Sequence, residues 1–405
     1  MLDKTIYLID LFCGAGGLAT GFSHIGFETA LASDIWKPAV ETYVANYPGH
    51  RFIRSDVRDI QTIAAFAAAI SRHPLVVAGG PPCQGFSSAG ARKTTDERNT
   101  LVGYFAQLAA SISPEIIVFE NVEGFLTLDG GKYVVDLLKP LIEAGYRVRL
   151  EKHNVANFGV PQFRKRVIGI AAKGRHPLAL HPITSAQGMP GANLVGAGLP
   201  RVQGVLEYLD SFQLEGDDPL NAPGNLSEND QQRIGHIGQG QTMRDLPPEL
   251  QHSSWNGRAN RRVKDGTPSD RRGGAPTGMR RLIADQPSKA ITSAATREFI
   301  HPVLNRFLTQ REAALLQTFP PEYRFVGNRS EINTLIGNAI PPKFAESIGQ
   351  CVAATLEEPV DDKLLGGIDA LTLTNSTGLS PALKRTLTLV NNTFGFAGSD
   401  DYLLF

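Results

Sequence analysis

Cysteine is scarce: Cys13, Cys83 and Cys351 are the only three in 405 residues, and no two of them form a CxxC pair. That spacing argues against a disulfide framework and against a cysteine-rich zinc site, so no metal is expected and a reducing cytoplasm suits the chain. Net charge is absent too, since 40 Lys and Arg balance 40 Asp and Glu. A nucleic-acid partner therefore cannot be inferred from overall charge and needs a local basic patch. No apolar run approaches the roughly 20 residues of a membrane span. The N-terminal MLDKTIYLIDLFCG has an apolar stretch too short for a signal peptide and no small-residue cleavage site. With 42% hydrophobic and 20% charged residues, the composition is that of a soluble globular protein long enough for two lobes.

The first 170 residues alternate short apolar runs with amphipathic stretches. TIYLIDLF, FETALASD, RFIRSD, PLVVAG and EIIVFEN read as five strands, with helices after the first two, near Leu18 and over PAVETYVANY. YRVRLEKHNV and RVIGIAAK read as two more strands closing one edge. Strands separated by helices predict an α/β fold with a mostly parallel sheet covered on both faces. From about residue 175 to 290 the chain is rich in Gly, Pro, Asn, Gln and Arg and has few apolar periods, as expected of a loop-rich insert. Helical periodicity returns in LTQREAALLQTF and PKFAESIGQCVAATLEE. The expected organisation is a core over 1–174, an insert over 175–290, a return to the core over 291–358, and a weakly patterned tail over 359–405 without an assigned role.

DLFCGAGG places glycines after the first strand and before a helix. Gly14, Gly16 and Gly17 allow backbone to approach a ligand, and the helix N-terminus offers free N–H groups. Asp34, twenty residues after Gly14, ends the second strand, where a carboxylate can accept from ribose hydroxyls. Asp56 ends the third strand and can accept from an adenine amino group. Such a turn fits a dinucleotide, an adenosylmethionine or a merely structural bend. The GAGG spacing departs from GxGxxG, which favours a ligand without phosphates.

GGPPCQGFS follows the fourth strand, which puts Cys83 in a loop at the carboxyl edge of the sheet, where open α/β folds bind ligands. Pro81 and Pro82 fix two φ angles and the flanking glycines permit an otherwise forbidden turn. So much backbone specification around one thiol points to reactivity, whereas Cys13 and Cys351 have no such setting and read as small buried hydrophobes.

These blocks resemble the cytosine-5 DNA methyltransferase family, bacterial restriction-modification type. DLFCGAGG, PPCQGFS, ENVEGF, FGVPQFRKR, RFLTQREAALLQTFP and LIGNAIPP occur in family order between residues 10 and 349. The resemblance implies a Rossmann-like S-adenosylmethionine-dependent methyltransferase sheet with a smaller target-recognition lobe. It implies Cys83 as nucleophile toward carbon 6 of a flipped-out cytosine, and Glu120 at ring nitrogen 3, with Asn121 fixing its loop. Arg166 would hold the cytosine carbonyl oxygen and orient Glu120, while Arg164 would serve phosphate or the field around the thiolate. Gln162 would support that loop on the DNA side. Phe12, Pro82, Asn338 and Ala339 match positions around the cofactor.

Between Arg258 and Arg281 lie eight basic residues (Arg258, Arg261, Arg262, Lys264, Arg271, Arg272, Arg280 and Arg281) against Asp265 and Asp270. This segment suits phosphate contacts, with some side chains reaching base edges. It falls where the family places target recognition. The expected partner is duplex DNA bearing a short specific sequence. A monomeric enzyme with a cognate restriction endonuclease as genomic neighbour follows by resemblance only. A tRNA cytosine-5 methyltransferase fits the long Arg/Gly-rich insert less well. A non-catalytic DNA-binding regulator would not need the intact PPC, ENV and QxRxR blocks. A nicotinamide-dependent oxidoreductase fits neither the GAGG spacing nor the PPC loop.

Overall fold

The computed structural model describes residues 5–59, 61, 64–65, 74–82, 100–186, 198–213, 217–251, 278–373 and 379–396. Its centre is an eight-stranded sheet. In chain order the first half comprises β1 (Ile6–Leu11), α1 (Gly17–His24), β2 (Phe27–Ser33), α2 (Lys37–Asn46), β3 (Phe52–Ile53), β4 (Leu75–Gly79), α3 (Leu101–Ile112), β5 (Ile116–Val122), α4 (Lys132–Glu143) and β6 (Tyr146–Asn154). The short β7 (Gln162–Phe163) and the long β8 (Lys165–Lys173) follow. With the last strand, β12 (Gly367–Thr372), the order β12-β6-β8-β5-β4-β1-β2-β3 is parallel except at β8, which runs antiparallel to both β5 and β6.

The alternation of apolar residues explains why both faces are covered. Ile9, Val77, Ile117 and Phe119 point toward α3 and α4, while Leu8, Val76, Val118 and Ile168 point the other way. Central strands buried on both faces read as continuous apolar runs, which is why they were visible in the sequence.

The second half opens with α5 (Val205–Asp210) and α6 (Glu228–His236), then β9 (Arg280–Arg281), β10 (Ser288–Lys289), α7 (Ala295–Glu298) and β11 (Phe299–Ile300). The chain returns through α8 (Gln310–Leu316), α9 (Arg329–Asn338) and α10 (Pro342–Glu357). One buried cluster unites Val205, Tyr208 and Leu209 of α5 with Ile291, Leu308, Leu315 and Leu335. Packing thus runs across the boundary expected at 290/291. Helix α10 lies on α1 at very short range. A Cβ at Gly17 would sit 2.1 Å from the Ile340 carbonyl oxygen, and one at Gly21 would sit 2.3 Å from that of Pro342.

The tail acquires a structural role that its sequence did not suggest. Strand β12 (Gly367–Thr372) adds to β6 in parallel and becomes the sheet edge, a place expected for the strand pair now formed by β6 and β8. Arg147 Nε on β6 donates to Asp369 Oδ1 on β12 at 2.7 Å. Helix α11 (Pro381–Phe394) buries Leu383, Thr386 and Val390, and the Thr386 hydroxyl donates to the Leu126 carbonyl at 2.7 Å. Among the described residues, no helix is long and apolar enough to cross a membrane.

Candidate active site

The turn after β1 is strained where a ligand would approach. Phe12 adopts φ 55°, costly for an aromatic residue, and Gly14 and Gly16 follow at 54° and 82°. Asp34 accepts from the Gly14 N–H at 2.9 Å and from the Trp36 N–H at 2.8 Å, so one carboxylate ties the end of β2 to the turn. Burial pushes its pKa up, against the lowering effect of those backbone bonds. From below, the Tyr323 hydroxyl donates to the Ala15 carbonyl, and a Cβ at Gly16 would meet that hydroxyl at 2.9 Å. Asp56, at the tip of β3, is engaged by Arg58, whose Nε donates to Oδ1 at 2.9 Å and holds the carboxyl below its usual range.

The glycines divide by task. A Cβ at Gly14 would meet only the Phe12 carbonyl oxygen, at 3.9 Å, so backbone there can meet a ligand. Gly17 differs from expectation, because the room left by its missing side chain is filled by the Ile340 carbonyl and not by a ligand. Ile35, which carries no motif in the sequence, stands 56% exposed between Asp34 and Trp36. An apolar residue directly after a strand-end carboxylate was the available signal. Together with half-buried Phe12, this set fits an adenosyl group: carboxylates at the tips of β2 and β3, an apolar wall, and the N-terminal N–H groups of α1.

Two strands away, Arg166 Nε lies 2.6 Å from Glu120 Oε1. The pairing is set by register, since β8 runs antiparallel to β5 with Glu120 opposite Ile168 and Val122 opposite Arg166. The Nε–H is poorly aimed for a hydrogen bond, and Arg166 Nη1 donates to its neighbour's carbonyl, that of Lys165, at 2.8 Å. The contact is therefore mainly an ion pair. The root of the PPC loop presses on the same strand end. A Cβ at Gly80 would meet Glu120 Oε2 at 2.8 Å, and Asn121 Nδ2 donates to the Pro81 carbonyl at 3.3 Å. Asn121 thus ties the end of β5 to the root of the PPC loop. Cys83 itself lies outside the described residues, and Pro82 is the last residue described before it.

The rest of QFRKR turns inward, unlike the sequence expectation. Gln162 is fully buried. Its Nε2 donates to the Leu316 carbonyl at 2.9 Å and to Gln317 Oε1 at 2.6 Å, and its Oε1 accepts from the Ile291 N–H at 3.0 Å. A side chain so occupied is an internal strut, which corrects its expected place on the DNA side. Arg164 is 2% exposed and donates to the carbonyls of Ile291, Gly337 and Ala339 at 2.6, 2.8 and 3.1 Å. These carbonyls occupy the guanidinium that was expected to meet phosphate or the thiolate. Asn338, between two of them, is exposed at the end of α9, and Ala339 is half-buried.

The family model for C-5 cytosine-specific DNA methylases matches residues 6–353. The chain belongs to that family. It is 30% identical over 347 residues to the Type II methyltransferase M1.HphI of Haemophilus parahaemolyticus, covering 85% of this chain and 86% of that one. It is 31% identical over 370 residues to M.PspPI of Psychrobacter sp. (strain TA137), covering 89% and 82%. In fold it resembles a putative DNA modification methyltransferase from an E. coli prophage, with a TM-score of 0.61 at 23% identity over 87% of this chain and all of that one. The fold of Entamoeba histolytica EhMeth gives 0.57 at 15% identity over 88% and 100%. The protein is accordingly a DNA cytosine-5 methyltransferase of the bacterial restriction-modification type, on the mostly parallel α/β sheet that such enzymes use.

In this methyltransferase the candidate DNA contacts Arg258, Arg261, Arg262, Lys264, Arg271 and Arg272 lie outside the described residues. Arg281, counted with them in the basic run, is instead an interior staple. Its guanidinium donates to the carbonyls of Ile237, Ile234, His301 and Leu304 and to Asn305 Oδ1, at 2.5–3.0 Å. Cys13 and Cys351 are buried free thiols, and burial raises both pKa values, consistent with inert packing roles.

Proposed function

We propose that the protein transfers a methyl group from S-adenosylmethionine to carbon 5 of a cytosine flipped out of a specific duplex sequence, as the modification enzyme of a restriction-modification pair. The observation that carries this reading is the Glu120–Arg166 ion pair set against the root of the Cys83 loop. Carbon 5 of cytosine is a poor nucleophile. Addition of the Cys83 thiolate at carbon 6 converts the ring into an enamine, with its electron pair directed to carbon 5. That addition builds negative charge on the ring, which Glu120 relieves by holding a proton at nitrogen 3. Arg166 keeps the Glu120 carboxyl in place and offers its remaining N–H groups to the ring carbonyl oxygen.

S-adenosylmethionine would supply the electrophilic methyl group that carbon 5 takes up and would be left as S-adenosylhomocysteine. Phe12, Gly14, Asp34, Ile35 and Asp56 would hold it on one side and Asn338 and Ala339 on the other. After transfer, loss of the carbon 5 proton to a base and departure of the thiolate from carbon 6 restore the aromatic ring and the free enzyme. Arg258, Arg261, Arg262, Lys264, Arg271 and Arg272 would grip phosphates while the base is out of the stack.

The test is to incubate unmethylated plasmid DNA with enzyme and S-adenosylmethionine and to map methylcytosine by bisulfite sequencing. One short recurring methylated sequence, lost in Cys83→Ala, is the expected result. Bound cofactor without any methylated cytosine in DNA would overturn the reading.

A further inference from the structure

The QFRKR segment faces two ways. Arg166 points to Glu120, whereas Arg164, two residues earlier, reaches across the molecule to the loop that ends α9. The last carbonyls of a helix have no intrahelical partner and carry the negative end of its dipole. Arg164 Nη2 caps α9 from outside through the Gly337 and Ala339 carbonyls, while Nη1 takes the Ile291 carbonyl of the neighbouring segment. That segment is also pressed onto the helix end, since a Cβ at Gly337 would sit 2.3 Å from the Ser293 nitrogen. Gln317 adds a second hold, with Nε2 donating to the Ile336 carbonyl at 2.6 Å and to that of Ala339 at 3.2 Å. Between these clamped carbonyls Asn338 alone is exposed.

We propose that Arg164 is a positioning residue for the cofactor: by fixing the Gly337–Ala339 backbone it sets the direction in which Asn338 faces S-adenosylmethionine, and it makes no contact with DNA phosphate. The proposal rests on the cofactor reading above. A planar guanidinium is required, because two nitrogens must reach acceptors on three separate backbone positions at once. Lysine keeps the charge but brings a single nitrogen. A phosphate contact has the opposite signature, since lysine serves phosphate well as a point charge and loss of the charge lowers the salt dependence of DNA binding.

Arg164→Lys and Arg164→Gln are compared with the wild type by calorimetric titration of S-adenosylhomocysteine, by steady-state kinetics, and by DNA binding to a plasmid fragment across a salt series. Unfolding temperatures confirm that titrations are made on folded protein. The expected result is a Kd for S-adenosylhomocysteine raised at least tenfold in both variants. KM for S-adenosylmethionine should rise in step, kcat at saturating cofactor should stay within a few-fold, and the salt slope of DNA binding should not change. Loss of stability alone would not separate KM from kcat in this way.

Unchanged cofactor affinity in Arg164→Lys, or a salt slope reduced by about one in Arg164→Gln, overturns the proposal. If neither variant folds, Gln317→Met removes the second hold on the same loop and must weaken S-adenosylhomocysteine by a similar factor, or the proposal fails. Wild-type protein that binds no S-adenosylhomocysteine would instead refute the cofactor reading itself.

Discussion

Arg166 on β8 and Glu120 on β5 meet at 2.6 Å because an antiparallel register sets Arg166 opposite Val122, two residues beyond Glu120 and therefore on the same sheet face. Glu120→Gln keeps the shape but gives up the ion pair with Arg166 and cannot hold a transferable proton at the cytosine. Single-turnover methyl transfer should fall by about 10²–10⁴-fold, the usual worth of general acid–base help, with DNA affinity retained. Transfer within a few-fold of wild type would remove Glu120 from the chemistry.

The glycine turn offers a pair of substitutions with opposite signatures. Gly17→Ala places a methyl 2.1 Å from the backbone oxygen of Ile340, which no rotamer change relieves, so α1 and α10 must separate. A loss of more than about 2 kcal/mol is expected, read as a lowered unfolding temperature. Gly14→Ala makes no close contact and carries only the strain of φ 54°, so its stability cost should be smaller. Its main effect should be weaker S-adenosylhomocysteine binding, measured by titration. Equal effects of the two on stability would contradict this division.

What the sequence made legible follows the physics of each signal. Central strands buried on both faces leave continuous apolar runs, and the Pro/Gly punctuation around Cys83 marks a specified loop, so both could be read directly. The buried roles of Gln162, Arg164 and Arg281 could not. A polar side chain in a basic, glycine-rich context reads as a surface group, and only the tertiary fold shows that its acceptors are largely backbone carbonyls, up to 175 residues away. The tail was unreadable for a related reason. Its strand is a single edge element, whose half-exposed residues dilute the alternation, and it is specified by its partner β6 and by Asp369 facing Arg147.

Removal of the tail after Glu358 should therefore damage the core. It uncovers the edge of β6 and strips the cover that Leu371, Leu383 and Val390 give to the buried face beside α4. The truncated protein should aggregate or unfold at markedly lower temperature, as seen by size-exclusion chromatography and thermal melting. A truncated protein that melts like the full chain would make the tail an appendage.

Thr318 is a β-branched residue at φ 66°, a conformation that usually calls for glycine, and its hydroxyl accepts from the Lys343 N–H at 3.0 Å in the first turn of α10. Thr318→Val keeps the shape and the strain but removes the acceptor, at about 1–2 kcal/mol. Thr318→Gly loses the same acceptor but releases the strain, so it should melt closer to wild type than the valine variant. The reverse order would show that the hydroxyl contributes little to α10.

Asp10, one residue from the end of β1, has both carboxyl oxygens buried and no well-formed hydrogen bond, beneath the glycine turn and near Asp34. Burial pushes its pKa up to about 8, with Asp34 adding to the rise and the Ala19 N–H opposing it. The sign of the linkage follows. Below about pH 4 the carboxyl is protonated in both folded and unfolded chains and costs nothing. Between about 4 and 8 the unfolded chain releases the proton that the folded one retains, so stability falls as pH rises, by up to about 5 kcal/mol. Above about 8 the penalty is constant. Asp10→Asn removes this group, so its stability relative to wild type should be near neutral at pH 4 and should grow steadily toward pH 8, measured by chemical denaturation across that range. A difference that stays flat with pH, or that favours the wild type at pH 8, would mean that the carboxylate is ionised and is held by the N-terminal N–H groups of α1.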